Sequence, residues 1–241
     1  GAGFTISSGN TNGAFAVAAG GAVTVADTSE IDYEDATSQT VVFTITDGSN
    51  AVTESVVITF TDINEASPIF TDGTTGSCSS AEVTGCGTFA ATDTDGTATQ
   101  TYSIVAAGTD ANSVDHDLFS VAAGGVLTFQ AAPNYEAAGC GAGNNANTCT
   151  VILSVTDGSN TDTITITATV TDLNEAPPVF SDGGTASANV AEVTTVGTYA
   201  ATDADGSATQ TYSIVTASTD SGSVDHDLFT VASGGVLTFT N

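Results

Sequence analysis

Thr163-Ile164-Thr165-Ile166-Thr167-Ala168-Thr169-Val170-Thr171 alternates without a fault between hydroxyl-bearing and apolar residues. A period of two puts one set on each face of a pleated strand, so this segment has an apolar face and a threonine ladder. Val56, Ile58 and Phe60 repeat the pattern upstream. Elsewhere the apolar residues fall in short runs separated by Asp-Gly, Gly-Gly and Ser-Asn pairs, and no 3.6-residue period is sustained. Threonine and valine branch at Cβ and suit strands. Short alternating strands punctuated by turn residues predict an all-β sandwich.

Composition narrows the function. The 241 residues contain 28 Asp plus Glu and no Lys or Arg, a formal charge of −28. Nucleic-acid binding needs basic residues to neutralise phosphate, so nucleic acid is excluded as a partner. An anionic membrane surface should repel the chain. No apolar run approaches the ~18 residues of a membrane helix, so direct membrane insertion is not expected. Hydrophobic residues make up 40%, too many for a solvated disordered tail.

The sequence repeats itself. Asp62-Ile63-Asn64-Glu65 returns as Asp172-Leu173-Asn174-Glu175, at a spacing of 110 residues. The same shift carries Glu82 onto Glu192 and Asp93-Thr94-Asp95-Gly96 onto Asp203-Ala204-Asp205-Gly206. It also carries Gln100-Thr101-Tyr102-Ser103-Ile104-Val105 onto 210–215, Asp115-His116-Asp117-Leu118-Phe119 onto 225–229, and Asp47-Gly48-Ser49-Asn50 onto 157–160. A unit of this length is one sandwich. The complete unit, 66–175, reads as seven strands, A to G. The first opens at 68–70, and the others lie around 88–92, 102–105, 119–121, 126–129, 151–156 and 163–171. Residues 1–65 form a partial unit from strand C to G, opening on Phe4-Thr5-Ile6. Residues 176–241 form a partial unit from strand A to E, closing on Val236-Leu237-Thr238-Phe239.

These motifs resemble tandem cadherin-type repeats over essentially the whole chain. That family ends each repeat in a linker of the form Asp-x-Asn-Asp-x-x-Pro. Here Asp62-Ile63-Asn64-Glu65-Ala66-Ser67-Pro68 and Asp172-Leu173-Asn174-Glu175-Ala176-Pro177-Pro178 match it, with Glu for the second Asp. The family's early Glu is matched by Glu82 and Glu192, and its Asp-x-Asp by Asp93/Asp95 and Asp203/Asp205. Its Asp-Arg-Glu is matched by Asp32-Tyr33-Glu34 and, less faithfully, by Asn134-Tyr135-Glu136. The Asp after strand F is matched by Asp47 and Asp157. One family Asn has no counterpart in the shortened loop after the Asp-x-Asp.

The resemblance implies a rod of Greek-key sandwiches whose linkers bind Ca²⁺. Around the first linker it implies ligands from Asp32, Glu34, Asp62, Asn64, Glu65, Asp93, Asp95 and Asp157. Around the second it implies Glu82, Asn134, Glu136, Asp172, Asn174, Glu175, Asp203 and Asp205. The chemistry agrees: hard oxygen donors without His or Cys select Ca²⁺ over Zn²⁺, at the ~10⁻⁴–10⁻³ M typical of extracellular modules. Any one of these acids could merely serve a turn; eight at one junction argue for a cation.

Cys78, Cys86, Cys140 and Cys149 all lie in the middle unit. The third unit has Ala188 and Val196 at the first two positions, so that pair vanishes together. The second pair accompanies an insertion: the repeat spacing is 102 from Tyr33 to Tyr135 but 110 from Asp47 to Asp157. This favours Cys78–Cys86 and Cys140–Cys149 over the other two pairings. Zinc is the rival, with unsuitable spacings of eight and nine; free thiols are the third possibility. Disulfides, like calcium, place the chain outside the cytosol.

Asp115-His116-Asp117 could orient a nucleophilic serine, but reads as a polar loop; an enzyme is not expected. Gly20-Gly21, Gly124-Gly125 and Gly234-Gly235 precede strands, not helices, and read as turns. The expected function is a calcium-rigidified structural or adhesive array at a cell surface or in an extracellular filament, with further repeats or neighbouring copies as partners. The alternative is a spacer or carbohydrate-binding module of a secreted hydrolase, which exposed aromatics would favour; the chain has no Trp. Sandwiches lacking strands leave open edges, so the chain is expected to be a window on a longer array or to complete itself by strand exchange.

Overall fold

The computed structural model describes residues 3–96, 99–137, 139–141, 146–191, 195–206, 209–216, 219–220, 222–223 and 225–240. In chain order the strands are β1 (Gly3–Ser8), β2 (Phe15–Val17), β3 (Val23–Val25), β4 (Ser38–Thr46), β5 (Ala51–Thr59), β6 (Ile69–Phe70) and β7 (Thr75–Ser80). There follow β8 (Gly85–Thr88), β9 (Ala91–Thr92), β10 (Thr101–Ile104), β11 (Phe119–Ala122), β12 (Val126–Phe129), β13 (Thr148–Thr156) and β14 (Thr161–Val170). The last are β15 (Val179–Phe180), β16 (Thr195–Thr198), β17 (Ala201–Thr202), β18 (Phe229–Val231) and β19 (Val236–Phe239). Helical structure among the described residues is confined to single 3₁₀ turns such as His116–Leu118 and its copy His226–Leu228.

Pairing closes within three stretches. The first contains the sheet β1-β4-β5 and the ribbon β2-β3. The middle contains β10-β13-β14-β7, β11-β12-β8 and the short pair β6-β9. The last contains β16-β19-β18 and β15-β17. All pairs are antiparallel except β14 with β7, where Ala168 lies opposite Cys78. The long hairpin β13-β14 runs in unbroken register from Thr148↔Thr169 to Thr156↔Thr161. Along β14, Ile164, Ile166, Ala168 and Val170 are buried while Thr163, Thr167 and Thr169 face water. Alternation in the sequence thus becomes the two faces of the sheet. The main core lies in the middle stretch, where Leu127, Val151, Leu153, Val155, Ile164 and Ile166 are fully buried.

Three strand expectations need correction. The second strand, read around 88–92, is two strands, β8 and β9, broken at Phe89-Ala90. Phe89 and Ala90 instead serve the neighbouring loops: Phe89 N donates to Gly125 O, and Ala90 O accepts from Thr71 N. The first strand, which Pro68-Ile69-Phe70 is expected to open, is broken after β6 and continues beyond a turn as β7. Its Thr-Gly-Ser-Cys-Ser-Ser sequence lacks the β-branched apolar signal, yet Gly76 is required there because a Cβ would lie 2.7 Å from the Phe89 ring. The copy of β10 at 210–215 is not a strand among the described residues. β10 is an edge strand whose ladder partner is β13.

Both disulfides form between the expected cysteines. Cys78–Cys86 joins β7 to β8 and so ties two sheets together. Cys140–Cys149 closes the inserted segment against the start of β13. Gly124 and Gly125 turn the chain between β11 and β12 with φ of 77° each.

Candidate metal centres at the two linkers

The antiparallel order of β13 and β14 sends the loops of the middle unit to opposite ends. The Asp157-Gly158-Ser159-Asn160 turn between them meets the linker before β6; the far end of β14 runs into the linker before β15. At the first end Asp95 is buried, and its Oδ2 accepts from Ala66 N at 2.8 Å. Asn160 Nδ2 donates to Ala66 O at 2.7 Å, a contact the sequence signalled only as part of a repeated turn. Asp93 Oδ1 accepts from Asp95 N at 3.2 Å, while Asp93 Oδ2 is buried with no partner.

Two carboxylate groups converge there. Asp93, Asp95 and Asp157 each bring an oxygen within 4.8 Å of the others, and so do Glu34, Glu65 and Asp95. Asn64 reaches the same place. Its side-chain amide nitrogen donates to Asp95 Oδ2 at 2.8 Å and to Asp157 Oδ2 at 3.0 Å. The Glu34 carboxyl is pushed up, first because surrounding protein displaces water from it although the residue as a whole is exposed. Asp62, Glu65 and Asp95 add repulsion. The Asp157 carboxyl is held down, chiefly by the Asn160 backbone N–H at 2.7 Å.

The other end carries a complementary set. Glu82, Glu136 and Asp172 form one group within 4.8 Å, and Glu136, Glu175 and Asp205 another. Glu82 is held by both sides of the junction: Oε1 accepts from Tyr135 N at 2.9 Å and Oε2 from Leu173 N at 2.7 Å. It is also the one non-glycine among the described residues with φ in the left-handed region, at 52°. Asp205 repeats the role of Asp95, accepting from Ala176 N at 2.9 Å. Burial first, then repulsion from Glu82, Asp205 and Glu136, pushes the Glu175 carboxyl up.

Five of the expected ligands stand outside these groups; one, Asp62, lies close enough to Glu34 to repel its carboxylate. Asp32 Oδ1 accepts from Glu34 N and Asp35 N, and Asn134 Oδ1 from Ala137 N, so both brace local turns. Asp203 accepts from Asp205 N, and Asn174 is exposed in its linker. Glu192 lies outside the described residues. The Asp115-His116-Asp117 loop is a polar turn. His116 Nδ1 meets Ser113 O at 3.0 Å, and Ser113 Oγ accepts from Ile152 N.

No family model and no curated protein matches the sequence. Solved structures do match the fold. Mouse protocadherin-24 EC1-3 superposes with a TM-score of 0.56 at 20% identity, covering 100% of this chain and 76% of that one. Human CDH23 EC21-23 gives 0.65 at 17%, covering 100% and 79%. The human desmocollin-1 ectodomain gives 0.60 at 19%, covering 100% and 47%. The chain therefore has the all-β, cadherin-like sandwich fold. At this identity the likeness speaks to fold, and the chemistry must be argued from the residues.

Proposed function

We propose that the chain is a calcium-rigidified extracellular structural or adhesive repeat protein. It comprises a complete repeat at 66–175 flanked by partial repeats at 1–65 and 176–241, within a surface array or filament. The observation that carries this reading is the convergence of carboxylates from three separate segments on each linker, in a chain with no Lys or Arg to offset them. The residues fit a hard cation. The buried Asp93 Oδ2 lacks a partner, and Asp93, Asp95 and Asp157 bring oxygens within 4.8 Å of one another.

Glu34, Asp62, Asn64, Glu65, Asp93, Asp95 and Asp157 would hold Ca²⁺ at the first junction. Glu82, Glu136, Asp172, Glu175 and Asp205 would do so at the second. Asp32, Asn134, Asn174 and Asp203 complete the sets through the family resemblance. Bound Ca²⁺ supplies two positive charges and takes six to eight oxygen ligands. The chain's own groups do the rest: Asp95 and Asp205 fix the linkers through Ala66 N and Ala176 N, and Glu82 fixes the second through Leu173 N. A linker anchored to the repeats on either side of it transmits force as a rod. Two disulfides agree with an oxidising, extracellular setting.

The test is chelation. Removing Ca²⁺ should lower the melting temperature, as loss of a ligand bound only by the folded state requires, and should shorten the particle in small-angle scattering. If excess chelator changes neither, the reading is wrong. Replacing Asp93 and Asp95 by Ala should loosen the first junction and leave the second intact.

A further inference from the structure

The inserted hairpin of the middle repeat is tied down by three devices. Cys140 and Cys149 are bonded and almost fully buried, which marks the disulfide as a staple and not an exchangeable thiol pair. Cys140 and Ala146 exchange both backbone hydrogen bonds, at 3.0 and 3.1 Å. The buried Asp115 carboxylate grips both limbs, accepting from Gly141 N and from Thr150 N at 2.7 Å each. None of these contacts leads to the linker. Those of Asn147 do, through two intermediaries.

Asn147 stands between the staple and β13, and its two ends do different work. Its backbone oxygen accepts from Val170 N at 2.8 Å, the last residue of β14 before the linker. Its Nδ2 donates to Tyr135 O at 2.9 Å. Tyr135 N in turn donates to Glu82 Oε1, and Glu82 Oε2 takes Leu173 N from the linker. A continuous chain of hydrogen bonds thus runs from the stapled hairpin to the second junction. The first repeat keeps only the backbone half: Thr37 O accepts from Phe60 N at 2.9 Å, and that repeat has neither cysteine nor insertion.

We propose that Asn147 is a positioning residue of the second junction, and that the Cys140–Cys149 hairpin exists to hold it. By fixing Tyr135, Asn147 sets Glu82 and the adjacent Glu136 against Asp172. The insertion replaces bracing that the Asp32 turn supplies at the first junction: Asp32 accepts from two backbone N–H groups, whereas its counterpart at the second junction, Asn134, accepts from one. The proposal rests on the second junction being a cation centre, but its mechanical half does not need the cation.

The experiment uses the full chain and Asn147→Ala, with Cys140→Ala/Cys149→Ala as the perturbation one step upstream. Amide hydrogen exchange is read by NMR in excess chelator. Asn147→Ala should speed exchange at Tyr135 and Leu173 about fivefold, the effect of one lost side-chain hydrogen bond. Exchange at Ala66, at the other end of the repeat, should not change. Calcium titration calorimetry is then run in a Glu34→Gln/Glu65→Gln/Asp93→Asn/Asp157→Asn background, which takes two carboxylates from each group at the first junction. There Asn147→Ala should weaken binding about fivefold. Unchanged exchange at Tyr135 and Leu173 would overturn the proposal, whatever calcium does. Absence of calcium binding by the unmodified chain would instead sink the calcium reading, and the exchange data would still decide the role of Asn147. If the cysteine variant fails to fold, Asn147→Ala alone carries the decision.

Discussion

Glu82 combines a backbone conformation that disfavours it with a side chain that two amides require, and substitution can separate the two. A non-glycine residue at φ 52° pays about 1–2 kcal/mol relative to glycine. Its carboxylate accepts from Tyr135 N and Leu173 N. Hydrogen bonds to a charged group contribute about 1.5–3 kcal/mol each, and the lower end applies because the residue is half-buried. Glu82→Ala loses both bonds and keeps the backbone cost, so it should destabilise by about 3 kcal/mol. Glu82→Gly loses the same bonds but recovers about 1 kcal/mol of backbone cost, leaving about 2. Glu82→Gln keeps one acceptor oxygen and should cost about 1–1.5 kcal/mol. The order Gln, Gly, Ala is the prediction. Urea unfolding in chelator, followed through the Ile164 and Ile166 methyl resonances of the middle core, isolates the protein's own contribution. A glycine variant as unstable as the alanine variant would refute the strain argument. Losses below about 1 kcal/mol for all three would show that the carboxylate anchors nothing.

The remaining predictions concern pH and the turn glycines. Glu34 and Glu175 have raised carboxyl values, so their protons are bound more tightly in the folded chain; their stabilising contribution is full below the ordinary 4.5 and lost as pH rises through the raised values. In chelator, Glu34→Gln/Glu175→Gln should therefore melt above the parent at pH 7 and level with it near pH 4, read as melting temperature. Asp47 is lowered first by the Asn50 backbone N–H, so its contribution is present above 3.8 and lost as pH falls through the lowered value; Asp47→Asn should destabilise at pH 7, and the difference should vanish in acid. Gly124 and Gly125 share a φ of 77°, but a Cβ on Gly124 meets nothing within 4 Å whereas one on Gly125 would lie 1.9 Å from Phe89 O. Gly124→Ala should cost only the backbone penalty of about 1–2 kcal/mol, while Gly125→Ala should break the β8-β12 edge, as thermal melting would show.

The strands that could be read from sequence were those whose side chains advertise both faces. β13 and β14 carry a buried residue at alternate positions over most of their length, so their period survived intact. β7 did not, because its partner β14 supplies the apolar face and β7 itself needs only to be thin enough to pass Phe89, which Gly76 achieves. At the junctions, the acids that converge came from motifs that the cadherin resemblance marked and that mostly recur at the repeat spacing. What spacing could not show is which oxygen each acid has left over. Asp32 and Asn134 use theirs on neighbouring N–H groups, and Asn160 and Asn147 enter through amide nitrogens, which no search for acidic ligands would notice. The disulfides were legible because cysteines appear and vanish in pairs between repeats; that Cys78–Cys86 bridges two sheets depends on β7, the strand the pattern hid.

The two junctions are coupled through one body. Asp157 at one end of the middle repeat lies in the β13-β14 turn and Asp93 and Asp95 follow β9, while at the other end Glu82 lies between β7 and β8 and Glu136 precedes β13, all loops of one repeat. Nothing in the sequence can neutralise them, since the only groups able to carry a positive side-chain charge are two histidines, each 3.0 Å from its own neighbouring aspartate, Asp117 or Asp227. Every counter-charge at a linker must therefore come from solution. Surface pairs screened by monovalent salt contribute little, and a diffuse atmosphere cannot replace ligands for a buried, partnerless Asp93 oxygen. A divalent cation satisfies both needs at once. Under the proposed calcium reading, a chain without basic residues should therefore have linkers whose stiffness follows the medium, stiffer with calcium than in chelator.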